Sequence, residues 1–519
     1  MKLDQCCSNH TLCCVATGDF LPTRVLDTAG LPADIVRLVG GHDASSRRYA
    51  TLSHCWGKAQ ISRLLADNQT ELERGIAIHT LPATFRQAIQ VARFLDIRYL
   101  WIDSLCIIQD SAADWEVESA AMAKVYGYAH VNIAAASSLD SGGGLFFDRD
   151  PRNILPFAAY APGSQDKLVE GWYIWRDDGR WGKVGQEPLH QRGWVLQERL
   201  LSARTIHFTK SQIFWHCLED LGCKSIITCV PGERQTFPAM QIGDYTDIRV
   251  TSAEIQTRGW SSKRAAKLVR DWQRLIMQYN KCGLTKDEDK LIAIFGIVDH
   301  IERLTGDRCL LGLWRSHMPG CLLWLVDWGT TNPDELSIAP GSARPRPEKW
   351  RAPSWTWASQ NLPVEHLFYR DDAFYYSRPL AMAVARRQNG SALCGKLELH
   401  GPLVTVDVGL VQGEIAARWC EGTISSLQGQ LPIQCHVQTD DVYDSSVPAK
   451  ALLIMQDWAY YFILIVPVDA SEAEPDAFRR VGILVVETED EETVSGLLSR
   501  SRGGAKSMWD EYSKVIKLL

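Results

Sequence analysis

YATLSHCW (49–56), LPATFRQAIQVARFLD (81–96) and IRYLWIDSLCII (97–108) carry the reading of the fold. The first is a short apolar strand that stops at a Trp-Gly pair. The second is a helix: Pro82 suits a first turn, and Phe85, Ala88, Ile89, Ala92 and Leu95 make one apolar stripe. The third is almost continuously apolar, as a strand covered on both faces is. A second helix over about 111–128 and the strand HVNIAAAS (130–137) extend the series. Strand, helix, strand, helix, strand predicts an α/β domain with a parallel sheet and crossover helices. Ligands of such sheets bind beyond the carboxyl ends of the strands, which points to Ser53, His54, Asp103, Ser104, Ser137 and Ser138.

On either side of this run the pattern changes. CCSNHTLCC (6–14) and the extended LPTRVLD (21–27) form a lead-in over 1–45, and the α/β domain is expected to occupy 46–218. A helical region over 219–338 follows, in which Leu268, Val269, Trp272, Leu275, Ile276 and Tyr279 keep helical spacing. A connector with Pro and Arg (339–353) leads into KLELHGPLVTVDVGL (396–410), ALLIMQDWAYYFILIVPV (451–468) and FRRVGILVVE (478–487). These read as strands of a β-rich, antiparallel region over 339–519. A closing amphipathic helix is expected, with Met508, Trp509, Tyr512, Val515, Ile516 and Leu519 on its apolar face.

Composition excludes several classes. A 519-residue chain with 46% hydrophobic residues can bury more than one core. The net charge of −7 argues against a general grip on nucleic acid, and RGWSSKRAAK (258–267) reads as the solvated face of a helix. The longest apolar run, 458–468, is about half what a membrane helix needs, so no membrane span is expected. Fifteen scattered cysteines and no signal-peptide pattern suit reduced thiols and a cytoplasmic protein.

Three ordered blocks, SHCWG (53–57), LWIDSLCIIQD (100–110) and RGWVLQERLLS (192–202), resemble the fungal heterokaryon-incompatibility (HET) domain family. LTKDEDKLIAIFGI (284–297), GLWRSHMPGCLLW (312–324) and RAPSWTWAS (351–359) are similar to segments that follow the domain in many members. The resemblance implies a role in non-self recognition between hyphae that triggers programmed cell death. Such a role calls for a protein partner or self-association. HET domains also resemble TIR domains distantly, which implies a flavodoxin/TIR-like parallel sheet and NAD as a substrate, though not as a bound cofactor. Other members sit beside secondary-metabolite genes, so an enzyme or accessory protein of a biosynthetic pathway, with its own small-molecule substrate, is the alternative.

Glu118 shares a helix face with Trp115, Met122, Val125 and Tyr126, so its carboxylate is either paired or held neutral by burial. It is the first catalytic candidate, and Trp115-x-x-Glu118 is similar to the Trp and Glu of TIR-type NAD hydrolases in all but spacing. Asp103 is the second, placed to orient a ribose hydroxyl or a histidine, or else to cap or pair with an arginine. Ser53, His54, Trp56 and Ser104 are candidates for substrate binding at the strand ends. Arg192 and Arg199 offer planar forks for phosphate, beside the acceptors Gln197 and Glu198. Equally, Arg–Glu pairs in this block lock it onto the central one. Cys106 reads as a small buried hydrophobe. Cys6 or Cys7, His10, and Cys13 or Cys14 are soft ligands at close spacing but lack the usual paired CxxC pattern. No metal site is assigned to them, and the segment is expected to pack with free thiols.

Overall fold

A computed structural model describes residues 2–14, 20–30, 32–57, 62–149, 157–158, 173–174, 184–219, 221–223, 262–327, 346–367, 373–387, 391–410, 420–426, 433–440, 449–457, 459–468, 477–486 and 513–518, with 248, 252 and 255. It divides into two compact units. The first comprises Met1–Glu254, Cys282–Leu284 and Ala293–Ile297; the second Ile255–Lys281, Thr285–Ile292 and Val298–Leu519. Among the described residues no helix is long and apolar enough to cross a membrane.

In the first unit, helices α1 (Lys2–Asn9) and α2 (Thr11–Cys14) precede strands β1 (Arg24–Asp27), β2 (Ile35–Gly40) and β3 (Tyr49–Ser53). Helix α3 (Gln69–Arg74), strand β4 (Ile76–Ala77), helix α4 (Ala83–Phe94), strand β5 (Tyr99–Ile102) and the single turn α5 (Asp103–Cys106) come next. Helix α6 (Ala112–Gly127) starts at Ser111, whose hydroxyl accepts from Asp114 N, and leads to β6 (Val131–Ala134). After the small hairpin β7 (Phe157–Ala158) and β8 (Tyr173–Ile174) come α7 (Gly193–Leu201), β9 (Arg204–Phe208), β10 (Ile213–Cys217) and β11 (Leu221–Cys223).

One nine-stranded sheet runs β11-β10-β9-β6-β3-β5-β1-β2-β4. Its centre is parallel: β3 pairs with β5 on one side and β6 on the other, and β6 pairs with β9. The edges are antiparallel, so the expected parallel sheet is a mixed one. LPTRVLD supplies β1, an inner strand of the antiparallel part, with Leu26 opposite Leu100.

Because β5 and β6 lie on opposite sides of β3, right-handed crossovers must pass over opposite faces of the sheet. The contacts agree. Tyr49 donates from its hydroxyl to Val125 O of α6 at 2.6 Å, while His54, just beyond β3, packs edge-on against Phe85 of α4. Trp115 of α6 and Trp194 of α7 meet edge to face, their ring centres 6.4 Å apart. All four residues of β5 are buried, which is what its unbroken apolar run demands.

The second unit opens with α8 (Ser262–Tyr279) and includes most of α9 (Phe295–Thr305). Single 3-10 turns at Asp287–Lys290 and Ile292–Ile294 precede α9 within the region expected to be helical. Short strands follow: β12 (Cys309–Leu310), β13 (Leu313–Trp314), β14 (Trp324–Val326) and β15 (Val364–His366). Then come β16 (Phe374–Tyr375), β17 (Arg378–Arg386), β18 (Ala392–Leu410), β19 (Cys420–Ser426), β20 (Ile433–Thr439), β21 (Ala449–Gln456), β22 (Tyr460–Pro467), β23 (Ala477–Val486) and β24 (Ser513–Leu518). The pairings β18–β19–β20–β23–β22–β21–β18 return to their start, closing a six-stranded antiparallel barrel.

The expected closing helix is corrected over Ser513–Leu518, which is a strand joining β18 antiparallel and β23 in parallel. Ile516 and Leu518 are buried there at a spacing of two, because the sheet supplies partners that local periodicity does not report. Residues 508–512 and 519 lie outside the described residues.

Arg480 of β23 is fully buried and pairs with Asp440, Nε to Oδ2 at 3.1 Å. Its guanidinium lies 3.5 Å from the Trp324 ring centre and donates to Leu322 O at 2.8 Å. Burial pushes its pKa down to about 10. Asp440→Asn would leave that charge buried without its counter-ion. The expected loss in urea denaturation is about 3–5 kcal/mol. Asp299→Asn, which breaks only an exposed pair within α9, is expected to cost under about 0.5 kcal/mol.

Candidate functional site

The strand order reverses at β3, and the chain leaves β3 and β6 in opposite directions. Their carboxyl ends therefore flank a crevice, the place where open α/β sheets bind ligands. Ser53, His54 and Cys55 leave β3 there, and Ala134 ends β6. Cys55, Ala134, Leu189 and Val195 form a small apolar cluster at the crevice.

Alternation along β3 sorts its polar groups by face. Ser53 shares the α6 and α7 face with Thr51, and both hydroxyls contact Asn132 of β6, at 3.2 and 3.0 Å. His54 turns to the α4 side, where it is buried, and neither ring nitrogen has a hydrogen-bond partner. Its Nδ1 lies 3.7 Å from Asp103 Oδ1. Burial holds the imidazole pKa below its ordinary value; Asp103 opposes that shift and Arg192 adds to it. His54 is thus a neutral ring beside a carboxylate.

Asp103 begins α5 at the end of β5. Trp56 Nε1 donates to its Oδ2 at 2.8 Å, and Ser104 N donates to Oδ1 at 2.7 Å. Asp103 answers an indole and its neighbour's amide rather than an arginine. The turn that brings Trp56 across depends on Gly57, with φ at +75°, where a Cβ would meet Asp140 Cβ at 2.2 Å. Ser104 Oγ is buried without a partner.

The third block closes the site from above. Arg192, at the N-cap of α7, donates from Nη1 to His54 O, and its guanidinium also reaches the Cys55 thiol. Two turns along the helix, Glu198 is buried with the Ser53 and Tyr126 hydroxyls beside its carboxyl group. Its Oε2 is buried without a hydrogen-bond partner. Burial is the main cause that pushes Glu198 up to about 7; Asp103 adds to the rise, while Ser53, Arg192 and Tyr126 oppose it. A carboxyl poised near neutrality is suited to move a proton at working pH.

The structure thus gathers Ser53, His54, Trp56, Asp103, Arg192 and Glu198. Three other candidates have their contacts elsewhere. Glu118 is buried, 3.9 Å from Arg24 Nη1, with burial raising its pKa and Thr23 and Arg24 lowering it. Arg24 in turn is paired with Asp114. Gln197 Oε1 accepts from Gly296 N at 3.0 Å. Arg199 is buried, and its charge helps lower the His190 pKa, after burial itself. Tyr126 was counted with an apolar stripe; its hydroxyl is the site member that periodicity hides.

Residues 49–198 match the family model described as Heterokaryon incompatibility protein (HET). No curated protein and no solved structure matches the chain.

Glu198 also sets a pH dependence. Unfolded, this carboxyl ionises near its ordinary 4.5; folded, it holds its proton to about 7. Between those values the unfolded state binds fewer protons, so stability falls as pH rises and levels off above 7. Glu198→Gln is expected to remove this decline. The gain over the parent protein should grow to about 3 kcal/mol across the window, read from denaturation at a series of pH values.

Proposed function

Since the chain carries a heterokaryon-incompatibility (HET) domain over residues 49–198, we propose that it acts in fungal incompatibility as a cell-death effector. Its chemistry would be hydrolysis of the nicotinamide–ribose bond of NAD at the β3/β6 crevice. The observation that carries this reading is the convergence of Arg192, Glu198 and the His54–Asp103 pair beyond the ends of parallel strands. Counted in chain order, those strands run 2-1-3-4, which supports the flavodoxin-like reading of the sheet.

Each residue has a part that its surroundings suit. Arg192, with its planar guanidinium beside the strand ends, takes the diphosphate. Asp103, oriented by Trp56, accepts a ribose hydroxyl. Glu198 in its ionised form faces the ribosyl carbon as positive charge develops there, and takes a proton from the attacking water. Glu118 remains the rival carboxylate, because it too is buried with a raised pKa.

Purified protein incubated with NAD and followed by chromatography tests the reading, with self-association induced in a parallel sample. Nicotinamide release is expected. Glu198→Gln should lower it by roughly 10²–10⁴-fold, and Glu118→Gln should leave it within a few-fold. The reverse pattern would move the chemistry to Glu118. No release in either sample would remove NAD hydrolysis from the account. A biosynthetic intermediate accumulating on gene deletion, with hyphal fusion unaffected, would favour a metabolic role.

A further inference from the structure

The N-terminal cysteines and histidine, which the domain's proposed chemistry does not use, converge on a residue far along the chain. Cys6 and His10 are one helical turn apart, and His10 N still bonds to Cys6 O at 3.1 Å. Helix α2 brings Cys13 round to the same side, and Cys217 reaches it from the end of β10. One ligand atom from each of Cys6, His10, Cys13 and Cys217 lies within 4.8 Å of all the others. His10 Nδ1 is 3.3 Å from Cys217 Sγ and 3.7 Å from Cys13 Sγ.

The two His10–sulfur separations are close to the edges of a coordination tetrahedron. Zinc–sulfur bonds of about 2.3 Å and zinc–nitrogen bonds of about 2.0–2.1 Å put neighbouring ligand atoms roughly 3.5–3.8 Å apart. The surroundings fit as well. Cys6, Cys13 and Cys217 are buried, and none of the three is in a disulfide. A disulfide could join only two of them and would leave the third thiol and the imidazole in place.

Arg204, itself buried, donates from Nε to Cys6 Sγ at 3.2 Å and from Nη2 to Cys13 O at 3.0 Å. Three thiolates around a divalent cation leave one net negative charge, and Arg204 sets one positive charge against it. This is the outer-shell partner that thiolate metal sites require.

We propose that Cys6, His10, Cys13 and Cys217 form a structural zinc site that clamps helices α1 and α2 onto strand β10. Four protein ligands leave no open position, so the metal holds the fold and performs no chemistry.

The test uses the full chain purified without chelator. Elemental analysis is expected to find about one zinc per chain. Cys217→Ser and His10→Ala should lose it, while Cys7→Ser, one residue from Cys6, should keep it. Exchange with cobalt should give the visible d–d bands and sulfur-to-metal charge transfer of a tetrahedral thiolate site. His10→Cys should retain the metal and shift those bands, which separates ligation from loss of folding. A folded chain that takes up neither zinc nor cobalt would overturn the proposal. So would zinc content unchanged in both Cys217→Ser and His10→Ala.

Discussion

Strand β3 is hydrogen-bonded to a parallel neighbour on each side, and the first unit is arranged around that constraint. A strand so placed has no edge, and its crossovers must use both faces of the sheet. Its side chains are then sorted by alternation: Tyr49, Thr51 and Ser53 toward α6 and α7, His54 toward α4. The polar members of this buried strand are satisfied by Asn132 across the sheet, which is what makes a serine and a threonine tolerable there. Beyond β3 and β6 the chain departs in opposite directions, which is where an open α/β sheet forms its ligand crevice. Arg192 and Glu198 meet the consecutive Ser53, His54 and Cys55 at this point because of the fold, not sequence proximity.

Two carboxyl groups on one side of the sheet show how neighbours divide their roles. Glu118 and Glu198 are both buried and both raised in pKa. Glu118 has a guanidinium close by and Thr23 beside it, so its ionised form has local support. Glu198 has two hydroxyls, the more distant charge of Arg192 and the opposing charge of Asp103. The same side-chain chemistry therefore meets a guanidinium at one position and two hydroxyls with an opposing carboxyl group at the other. Their difference lies in what the tertiary fold sets against them.

The parts of the fold legible in the sequence are those governed by local pattern. The all-apolar run of β5 and the stripe of α4 each announce their element. Burial of Glu118 was also legible, since it shares a face with apolar neighbours. What depended on distant partners was not. Gln197, Glu198 and Arg199 read as groups for a phosphate or as parts of Arg–Glu pairs, and their complete burial was not legible, because α7 is covered on more than its apolar stripe. The closing strand satisfied helical spacing and strand spacing at once, and pairing with β18 decided between them. Cys217 carries no signal tying it to Cys13 until the sheet brings β10 beside the N-terminus.

In the function we propose, the reversal of strand order at β3 makes the ligand site. A crystal structure of the chain with ADP-ribose, the ribosyl product of the proposed cleavage, tests it most directly. The account requires the diphosphate on Arg192 and the ribose within reach of Asp103 and Glu198. Ribose density beside Glu118 and Arg24, with the β3/β6 crevice unchanged, would contradict it.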